Sequence, residues 1–208
     1  MLLDYLQNEY PTNVPIFMGD IEERLGMQAT SVRQSFKRLV DRGVLARFTA
    51  GIYYFPQPSR IFKNVPLDIE KVIFNKYIEY KGKTIGYYTG ITLANIAGLT
   101  TQIAAEKCIA TNEEKSRGRV VKVKNRRLRL KKPRMVVDAE NRDALMILDL
   151  VSEAMKYSEY GVDETAARLR NYAKGLQVSK EVIVNCLSAY PGKTSKLLLE
   201  MRIYDVLA

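Results

Sequence analysis

Histidine is absent from this chain of 208 residues, and cysteine occurs only twice, as Cys108 and Cys186. Because histidine is the commonest general base, its absence excludes a serine or cysteine nucleophile that is assisted by histidine. Two cysteines that lie far apart in apolar sequence predict reduced, buried thiols rather than a structural zinc site. We therefore expect no enzymatic activity, no metal site and no cofactor.

Signals for export and for membrane insertion are also missing. Asp4, Glu9 and Pro11 interrupt the amino-terminal stretch, which would have to be apolar in a signal peptide. Residues 84–105 carry no charge, but their glycines, threonines, asparagine and glutamine make them too polar for a membrane span. The sequence therefore predicts a cytoplasmic protein without a membrane partner, in which this stretch is buried core.

Acidic residues are absent between Lys115 and Arg134, where eleven lysines and arginines fall. The formal net charge of +10 is concentrated there, because the remaining sequence has 22 basic against 23 acidic residues. Such a cationic segment favours an anionic partner, either nucleic acid or an acidic protein surface. The alternative is a solvated sheet edge whose charges prevent aggregation.

The centre of this segment alternates between apolar and basic residues, as β-hairpins do, with residues 125–126 as the turn. In this register Lys122 faces Arg129, and Lys124 faces Arg127. Like charges directly opposite one another are destabilising, which favours a partner for them. The other face of the hairpin would hold Val121, Val123, Leu128 and Leu130. The predicted basic partner surface consists of Lys122, Lys124, Arg126, Arg127, Arg129 and Lys131.

Residues 18–55 have the pattern of a winged helix-turn-helix. The first helix carries an apolar stripe of Met18, Ile21 and Leu25. Gly26 is predicted to end this helix, because glycine adopts the left-handed turn without strain. The second helix spans residues 30–42, and its buried face is predicted to hold Val32, Phe36, Leu39 and Val40.

Residues 44–49 and 51–55 alternate like the two strands of a wing. The predicted DNA contacts come from the outer face of the second helix and from the wing: Thr30, Ser31, Arg33, Gln34, Lys37, Arg38, Arg47 and Thr49. Ser31 and Gln34 also fit a capping box, in which Gln34 would be held at the start of the helix. An ordinary solvated helix face is the alternative to DNA binding.

Three sequence segments resemble the AbiEi family of antitoxins. One is Gly-Ile-Tyr-Tyr-Phe-Pro at 51–56, and the others are Ile-Gly-Tyr-Tyr-Thr-Gly-Ile-Thr-Leu-Ala at 85–94 and Ala-Gly-Leu-Thr-Thr-Gln at 97–102. In that family the segment at 85–94 joins a strand to a helix in the antitoxin domain. The resemblance covers nearly the whole chain and rests on packing and turn signatures rather than on catalytic residues.

The resemblance implies a bacterial abortive-infection system for phage defence, a toxin–antitoxin pair often described as type IV. The winged helix-turn-helix would bind double-stranded DNA at promoter repeats and repress its own operon. The second domain would counter a nucleotidyltransferase toxin from the adjacent gene, and a stable complex between the two need not form.

The predicted fold is therefore α+β. A winged helix-turn-helix over residues 1–58 precedes a mixed α/β domain over 59–208, which has a small sheet and a carboxy-terminal helical group. Before the helical group, the pattern predicts a helix at 66–80 and strands that include 134–138. Two other functions stay open: a transcriptional regulator whose second domain senses a ligand or oligomerises, and an RNA-binding protein that uses the basic hairpin. The sequence does not determine the oligomeric state.

Overall fold

The computed structural model describes residues 2–58 and 64–208, and the chain forms two compact units, Met1–Asn75 and Lys76–Ala208. The fold is α+β, with small sheets and a carboxy-terminal group of helices, as the sequence predicts. The predicted domain boundary, between residues 58 and 59, borders the segment that lies outside the described residues.

The first unit contains three helices and a three-stranded antiparallel sheet before residue 55. In chain order these elements are α1 (Leu2–Glu9), β1 (Ile16–Phe17), α2 (Met18–Leu25), α3 (Ala29–Asp41), β2 (Ala46–Thr49) and β3 (Ile52–Tyr54). Strand β3 lies between β1 and β2 in the sheet. Helices α2 and α3 and the β2–β3 hairpin were predicted, whereas α1 and β1 were not.

The core of the first unit is built on the apolar faces of α2 and α3. Ile21, Val32 and Phe36 are fully buried, and the ring of Phe36 lies 4.8 Å from that of Tyr53 on β3. Leu25, the last residue of α2, is 37% exposed, so the predicted stripe contributes to this core mainly through Ile21. Packing between helix and sheet therefore fixes which side of α3 faces solvent.

The turn between α2 and α3 follows from two residues. Gly26 ends α2 in the left-handed conformation, with φ of 58°, as predicted. Gln28 is the extended residue at which α3 begins, so Ser31 is the third residue of the helix. The capping-box interpretation of Ser31 and Gln34 was therefore wrong, because a capping serine must stand at the extended entry position.

The chain then forms two short strand pairs on either side of a helix. These elements are β4 (Gln57–Pro58), β5 (Asn64–Val65), α4 (Ile69–Tyr77), β6 (Glu79–Tyr80) and β7 (Lys83–Thr84). Helix α4 is shorter than the predicted 66–80, because Glu79 and Tyr80 pair with Thr84 and Lys83 instead of continuing the helix. Lys81, with φ of 52°, begins the tight turn of this hairpin.

The second unit is built on a four-stranded mixed sheet in the order β10-β11-β9-β8. Its elements up to residue 131 are β8 (Gly86–Tyr88), α5 (Gly90–Ile96), β9 (Lys107–Thr111), β10 (Arg119–Val123) and β11 (Arg126–Lys131). Strand β11 runs parallel to β9, whereas β10 and β8 are antiparallel to their neighbours. Gly86 allows β8 to lie close to the backbone of Tyr77, because a Cβ atom at position 86 would lie 2.2 Å from the carbonyl oxygen of Tyr77.

The basic hairpin, β10–β11, forms in a register two residues away from the predicted one. Its turn is Lys124-Asn125 rather than Asn125-Arg126, and Arg126 instead joins the ladder opposite Val123. Lys122 therefore faces Arg127 and not Arg129, and Lys124 faces no cation across the ladder. Because strand side chains alternate with period two, a shift of two keeps the predicted apolar face: Val123, Leu128 and Leu130 are buried and Val121 is half-buried.

The predicted strand at 134–138 does not form; this segment is irregular. The side-chain amide of Asn112 donates to the carbonyl oxygen of Val137 at 2.8 Å and accepts from its amide nitrogen at 2.9 Å. Val137 is buried, while Val136 beside it is 74% exposed. The backbone of Val137 is therefore hydrogen-bonded by a side chain instead of by a neighbouring strand.

The carboxy-terminal helices are α6 (Arg142–Tyr157), α7 (Val162–Leu176), α8 (Lys180–Leu187) and α9 (Gly192–Glu200). Helix α6 packs against α5, α7, α8 and α9, and so lies at the centre of the second core. The buried stripe of α6 includes Ala144, Ile147, Leu148 and Val151, whereas Met155 is 50% exposed and Ala154 is buried beside it. Within the described ranges, every helix is too short or too polar to traverse a bilayer.

Candidate nucleic-acid interface

The outer face of α3 presents the polar and cationic residues that the sequence predicts there. Its six candidate residues are all exposed: Thr30, Ser31, Arg33, Gln34, Lys37 and Arg38. Val32 and Phe36, on the opposite face, are fully buried, so the helix cannot turn without losing its core contacts. The structure thus places these six candidates together on one accessible surface.

The side chains on this face are available to an external partner. In the described part of the chain, no hydrogen bond or ion pair occupies the side chains of Arg33, Lys37 or Arg38. Gln34 is likewise unoccupied, because the capping box does not form. Guanidinium groups donate to the edges of bases, amide groups both donate to them and accept from them, and a single helix fits the major groove.

The predicted wing residues differ in accessibility. Arg47 is exposed on β2, opposite Tyr53, whereas Thr49 is half-buried. The ladder shifts register between Arg47 and Thr49, and Phe48 between them is 6% exposed. Arg47 can therefore reach a phosphate beside the helix, while Thr49 offers less of its side chain.

On the basic hairpin, an acidic residue from outside the segment neutralises part of the charge. Glu106, which directly precedes β9, forms ion pairs with Arg127 at 2.5 Å and with Arg129 at 2.8 Å. Parallel pairing of β9 and β11 brings Glu106 to these arginines. Sequence reasoning missed Glu106, because counting charges within a segment does not show which acid lies across a sheet.

The remaining residues of the predicted basic surface lie at different places on the hairpin. Lys122 and Arg126 are exposed, and no described residue forms an ion pair with either of them. Lys124 is exposed in the turn, and Lys131 is half-buried at the end of β11, opposite Ala110. The six residues therefore do not form one uniform charged face.

A second cationic feature lies between the loop before β10 and the end of β11. It is a groove of about 610 Å³, here called the basic groove, and is lined by Lys115, Ser116, Arg117, Gly118, Arg129, Leu130, Lys131 and Lys132. No carboxylate lines it, and of its five cations only Arg129 is ion-paired among the described residues. Lys115, Arg117 and Lys132 were within the cationic segment but were not singled out, since no strand pattern placed them.

Glu114 holds the loop that forms one wall of the basic groove. Its buried carboxylate accepts hydrogen bonds from the Ser116 amide, at 2.9 Å, and from the Ser116 hydroxyl, and it lies 2.9 Å from Arg119 Nε. The hydrogen bonds from Ser116 hold the pKa of the Glu114 carboxyl below its usual range. The contacts of the Glu114 carboxylate therefore stabilise this loop.

A polar cluster centred on Asp149 joins the sheet to the helices of the second unit. Its Oδ2 accepts hydrogen bonds from Thr89 at 2.6 Å and Tyr87 at 3.1 Å, and its Oδ1 accepts one from Tyr190 at 2.7 Å. Burial, and after it the charge of Asp149, raises the pKa of both tyrosine hydroxyls well above the usual value, so they stay protonated donors. No periodic pattern in the sequence predicted this cluster.

The described residues contain neither a cluster of metal-binding side chains nor an exposed thiol. Cysteine, aspartate and glutamate side chains do not gather there in a set of three or more that could hold a metal ion. Cys108 and Cys186 are free and buried, as predicted, and burial raises the pKa of both thiols. The face of α3, the basic hairpin and the basic groove are the exposed cationic surfaces that could bind a nucleic acid.

Comparison with known proteins gives a family for the chain. No curated protein matches the sequence. A family model described as a family of unknown function, DUF6088, matches residues 13–168, about three quarters of the 208 residues. The chain therefore belongs to the DUF6088 family.

Proposed function

We propose that the chain is an antitoxin that represses its own operon by binding promoter DNA through a winged helix-turn-helix in its first unit. One observation carries the DNA-binding part of this proposal: α3 exposes Arg33, Lys37 and Arg38 without a partner among the described residues, while its other face is fixed in the core. A helix with this division is what major-groove recognition requires.

The order of elements supports the winged assignment. Helix α2, a turn of a few residues, helix α3 and the β2–β3 hairpin follow one another, and β1 pairs with β3. In a winged helix-turn-helix the second helix enters the major groove and the hairpin approaches the backbone. Here these roles fall to α3 and to Arg47 on β2.

The proposed DNA contacts are of two chemical kinds, to base edges and to the phosphate backbone. Arg33, Gln34 and Arg38 would read base edges, since guanidinium groups bind guanine and amides bind adenine in two-point contacts. Lys37 and Arg47 would bind phosphates, which orients the helix without selecting a sequence. Thr30 and Ser31, in the first turn of α3, would hydrogen-bond the backbone beside the groove.

The antitoxin role rests on the resemblance to the AbiEi family and would lie in the second unit. The segment at 85–94, which joins a strand to a helix in that family, forms β8 and α5 here. We propose that this unit counters a nucleotidyltransferase toxin without enzymatic chemistry, and that the exposed cations of the hairpin, led by Lys122 and Arg126, bind an anionic partner. Double-stranded DNA is the partner we favour, because the same chain would already be held on DNA by α3.

Two assays on the full chain test the two halves of this proposal. Repression is measured with a reporter driven by the DNA upstream of the gene, and neutralisation is measured as growth rescue when the product of the adjacent gene is expressed. The α3 variant carries Arg33→Ala, Lys37→Ala and Arg38→Ala, and Lys71→Ala, an exposed position in the first unit, is the control.

We expect the α3 variant to lose repression and to keep growth rescue, and the control to keep both. Unchanged repression by the α3 variant would refute DNA recognition by this helix. An adjacent gene product that is not toxic, or that the full chain does not counter, would refute the antitoxin role. Tighter binding to structured RNA than to duplex DNA at the same salt concentration would instead favour the RNA-binding function.

A further inference from the structure

The second unit contains a cavity of about 230 Å³ between the segment that follows β11 and helix α6. Lys131, Lys132 and Arg134 line one side, and Asp149, Ser152 and Glu153 from α6 line the other; Tyr87, Thr89, Ala110 and Pro133 complete it. With three cations and two carboxylates, its lining has a net charge of +1. The three cations come from residues 131–134 and the two carboxylates from α6, which suits a ligand that has an anionic end and a hydroxyl-bearing end.

Arg134 is held in position at one end of the cavity. Its guanidinium lies over the ring of Tyr190, at 4.7 Å from the ring centroid, and its Nε is 4.0 Å from Asp149 Oδ1. The hydroxyl of Tyr190 in turn donates its proton to Asp149 Oδ1 at 2.7 Å. Arg134 is thus oriented by stacking and by charge, at a distance too long for a hydrogen bond to Asp149.

The donors on this wall have no acceptor in the described part of the chain. No hydrogen bond there uses the terminal nitrogens of Arg134, and the ammonium groups of Lys131 and Lys132 form no ion pair or hydrogen bond there. Three hydroxyl donors already occupy the two oxygens of Asp149, so this carboxylate has little capacity left to accept hydrogen bonds from these cations. A planar guanidinium beside two ammonium groups is a typical recognition set for phosphate.

The opposite wall can bind hydroxyl groups. Ser152 donates its hydroxyl proton to the carbonyl oxygen of Asp149 at 3.0 Å, so its oxygen can still accept a hydrogen bond. Glu153 has no ion pair among the described residues, and a carboxylate accepts from sugar hydroxyls. The cavity is smaller than the ~300–1,000 Å³ that encloses drug-sized ligands, so it would hold a phosphate and its sugar rather than a whole nucleotide.

We propose that this cavity binds a phosphomonoester of a sugar, with the phosphate on Lys132 and Arg134 and the sugar hydroxyls toward Ser152 and Glu153. This chemistry has two sources, a free sugar phosphate or nucleotide and the terminal phosphate of a nucleic-acid strand. Lys131 and Lys132 also line the basic groove, so a strand that ends in the cavity would run along that groove. The proposal does not depend on DNA recognition by α3, because every residue it uses lies in the second unit.

The test is a calorimetric titration of the full chain with three probes that carry the same phosphate: ribose 5-phosphate, adenosine 5′-monophosphate and a 5′-phosphorylated DNA oligonucleotide. Inorganic phosphate and the 5′-hydroxyl oligonucleotide are the reference probes. The variants are Arg134→Gln and Lys132→Gln, and Lys193→Gln removes the same charge at an exposed site of the second unit outside the cavity. Thermal unfolding of each variant checks that it is folded.

We expect at least one phosphorylated probe to bind more tightly than its reference, and each cavity variant to weaken that binding about tenfold or more. Preference for the phosphorylated oligonucleotide over the two small probes identifies a strand end; tighter binding of a small probe identifies a free ligand. The proposal is overturned if no probe binds, if inorganic phosphate binds as tightly as the esters, or if Lys193→Gln weakens binding as much as folded Lys132→Gln.

Discussion

Asn112 and Val137 are joined by two hydrogen bonds in which the side-chain amide of Asn112 acts as a strand would. It donates to the Val137 carbonyl oxygen at 2.8 Å and accepts from the Val137 amide nitrogen at 2.9 Å. Asn112 follows β9 directly, and its own amide nitrogen donates to the carbonyl oxygen of Ile85 at 2.8 Å. One residue therefore connects the end of the sheet to the segment that leads into α6.

Asn112→Ala should lower the free energy of unfolding by ~1–3 kcal/mol. The substitution removes both partners of the Val137 backbone, and a buried polar group left without a hydrogen bond costs about that amount. Val137 is 2% exposed, so water cannot readily replace the amide. Urea denaturation measures the change, and Asn185→Ala, at an exposed position of α8, is the control. Equal stability of the two variants would mean that the Asn112 bonds add nothing net.

The same contact shows where prediction from the sequence fails. Periodicity predicted the buried face of α3, since a helix that packs on a core must repeat its apolar residues every three to four positions. A strand was also predicted at 134–138, yet the side chain of Asn112, 25 residues away, hydrogen-bonds the Val137 backbone instead. Hydrogen bonds made by a distant side chain leave no period in the sequence, so the segment looked like a strand.

The candidate binding surfaces also differ in how well the sequence predicts them. The exposed face of α3 could be predicted because it is the complement of a buried stripe on one helix. The charge balance of the hairpin could not, because Glu106 reaches Arg127 and Arg129 through the pairing of β9 with β11. The turn of the hairpin was also misplaced, since Lys124 adopts φ of 50° at a position where the pattern gave no glycine. Contacts across a sheet depend on register, and several registers fit an alternating sequence.

Glu106→Gln should strengthen the binding of nucleic acid if the hairpin contacts it. The substitution removes the carboxylate that pairs with Arg127 and Arg129, so both arginines become free to bind phosphates. Each added phosphate contact makes the slope of log affinity against log salt concentration steeper by about 0.9. Fluorescence anisotropy over a range of salt concentrations measures the slope, which should steepen by up to about 2.

The control for Glu106→Gln is Glu181→Gln, which raises the net charge equally at an exposed site of α8. A general electrostatic effect would change the binding of both variants alike. A steeper slope for Glu106→Gln alone places the partner on the hairpin, whereas an unchanged slope removes Arg127 and Arg129 from the nucleic-acid contacts.

Arg38→Ala should weaken binding to promoter DNA by ~1–3 kcal/mol, the usual loss when one base contact is removed. Arg38 is exposed on α3, and its loss leaves the buried face of Val32 and Phe36 intact, so the fold should be retained. Titration against promoter DNA and against unrelated duplex DNA separates the two kinds of contact. A loss confined to promoter DNA indicates base reading, an equal loss on both indicates a phosphate contact, and no loss on either contradicts a role for Arg38.

The ionised carboxylate of Glu159 should stabilise the second unit at neutral pH, and this stabilisation should be lost in acid. Its carboxylate accepts hydrogen bonds from the Thr101 amide at 3.0 Å and from the Thr100 hydroxyl at 2.7 Å, and these bonds lower its pKa from the ordinary 4.5. A carboxyl whose pKa is lower in the folded state stabilises the fold above its unfolded pKa. That stabilisation is lost as the pH falls through the folded value.

Glu159→Gln should therefore be less stable than the native protein at pH 7, and the difference should shrink below pH 4.5. Urea denaturation from pH 7 to pH 3 measures this difference, and Glu140→Gln, an exposed carboxylate without a described side-chain contact, is the control. If the difference between Glu159→Gln and the native protein did not change with pH, the ionised carboxylate would not be what fastens Thr100 and Thr101 to the end of α6.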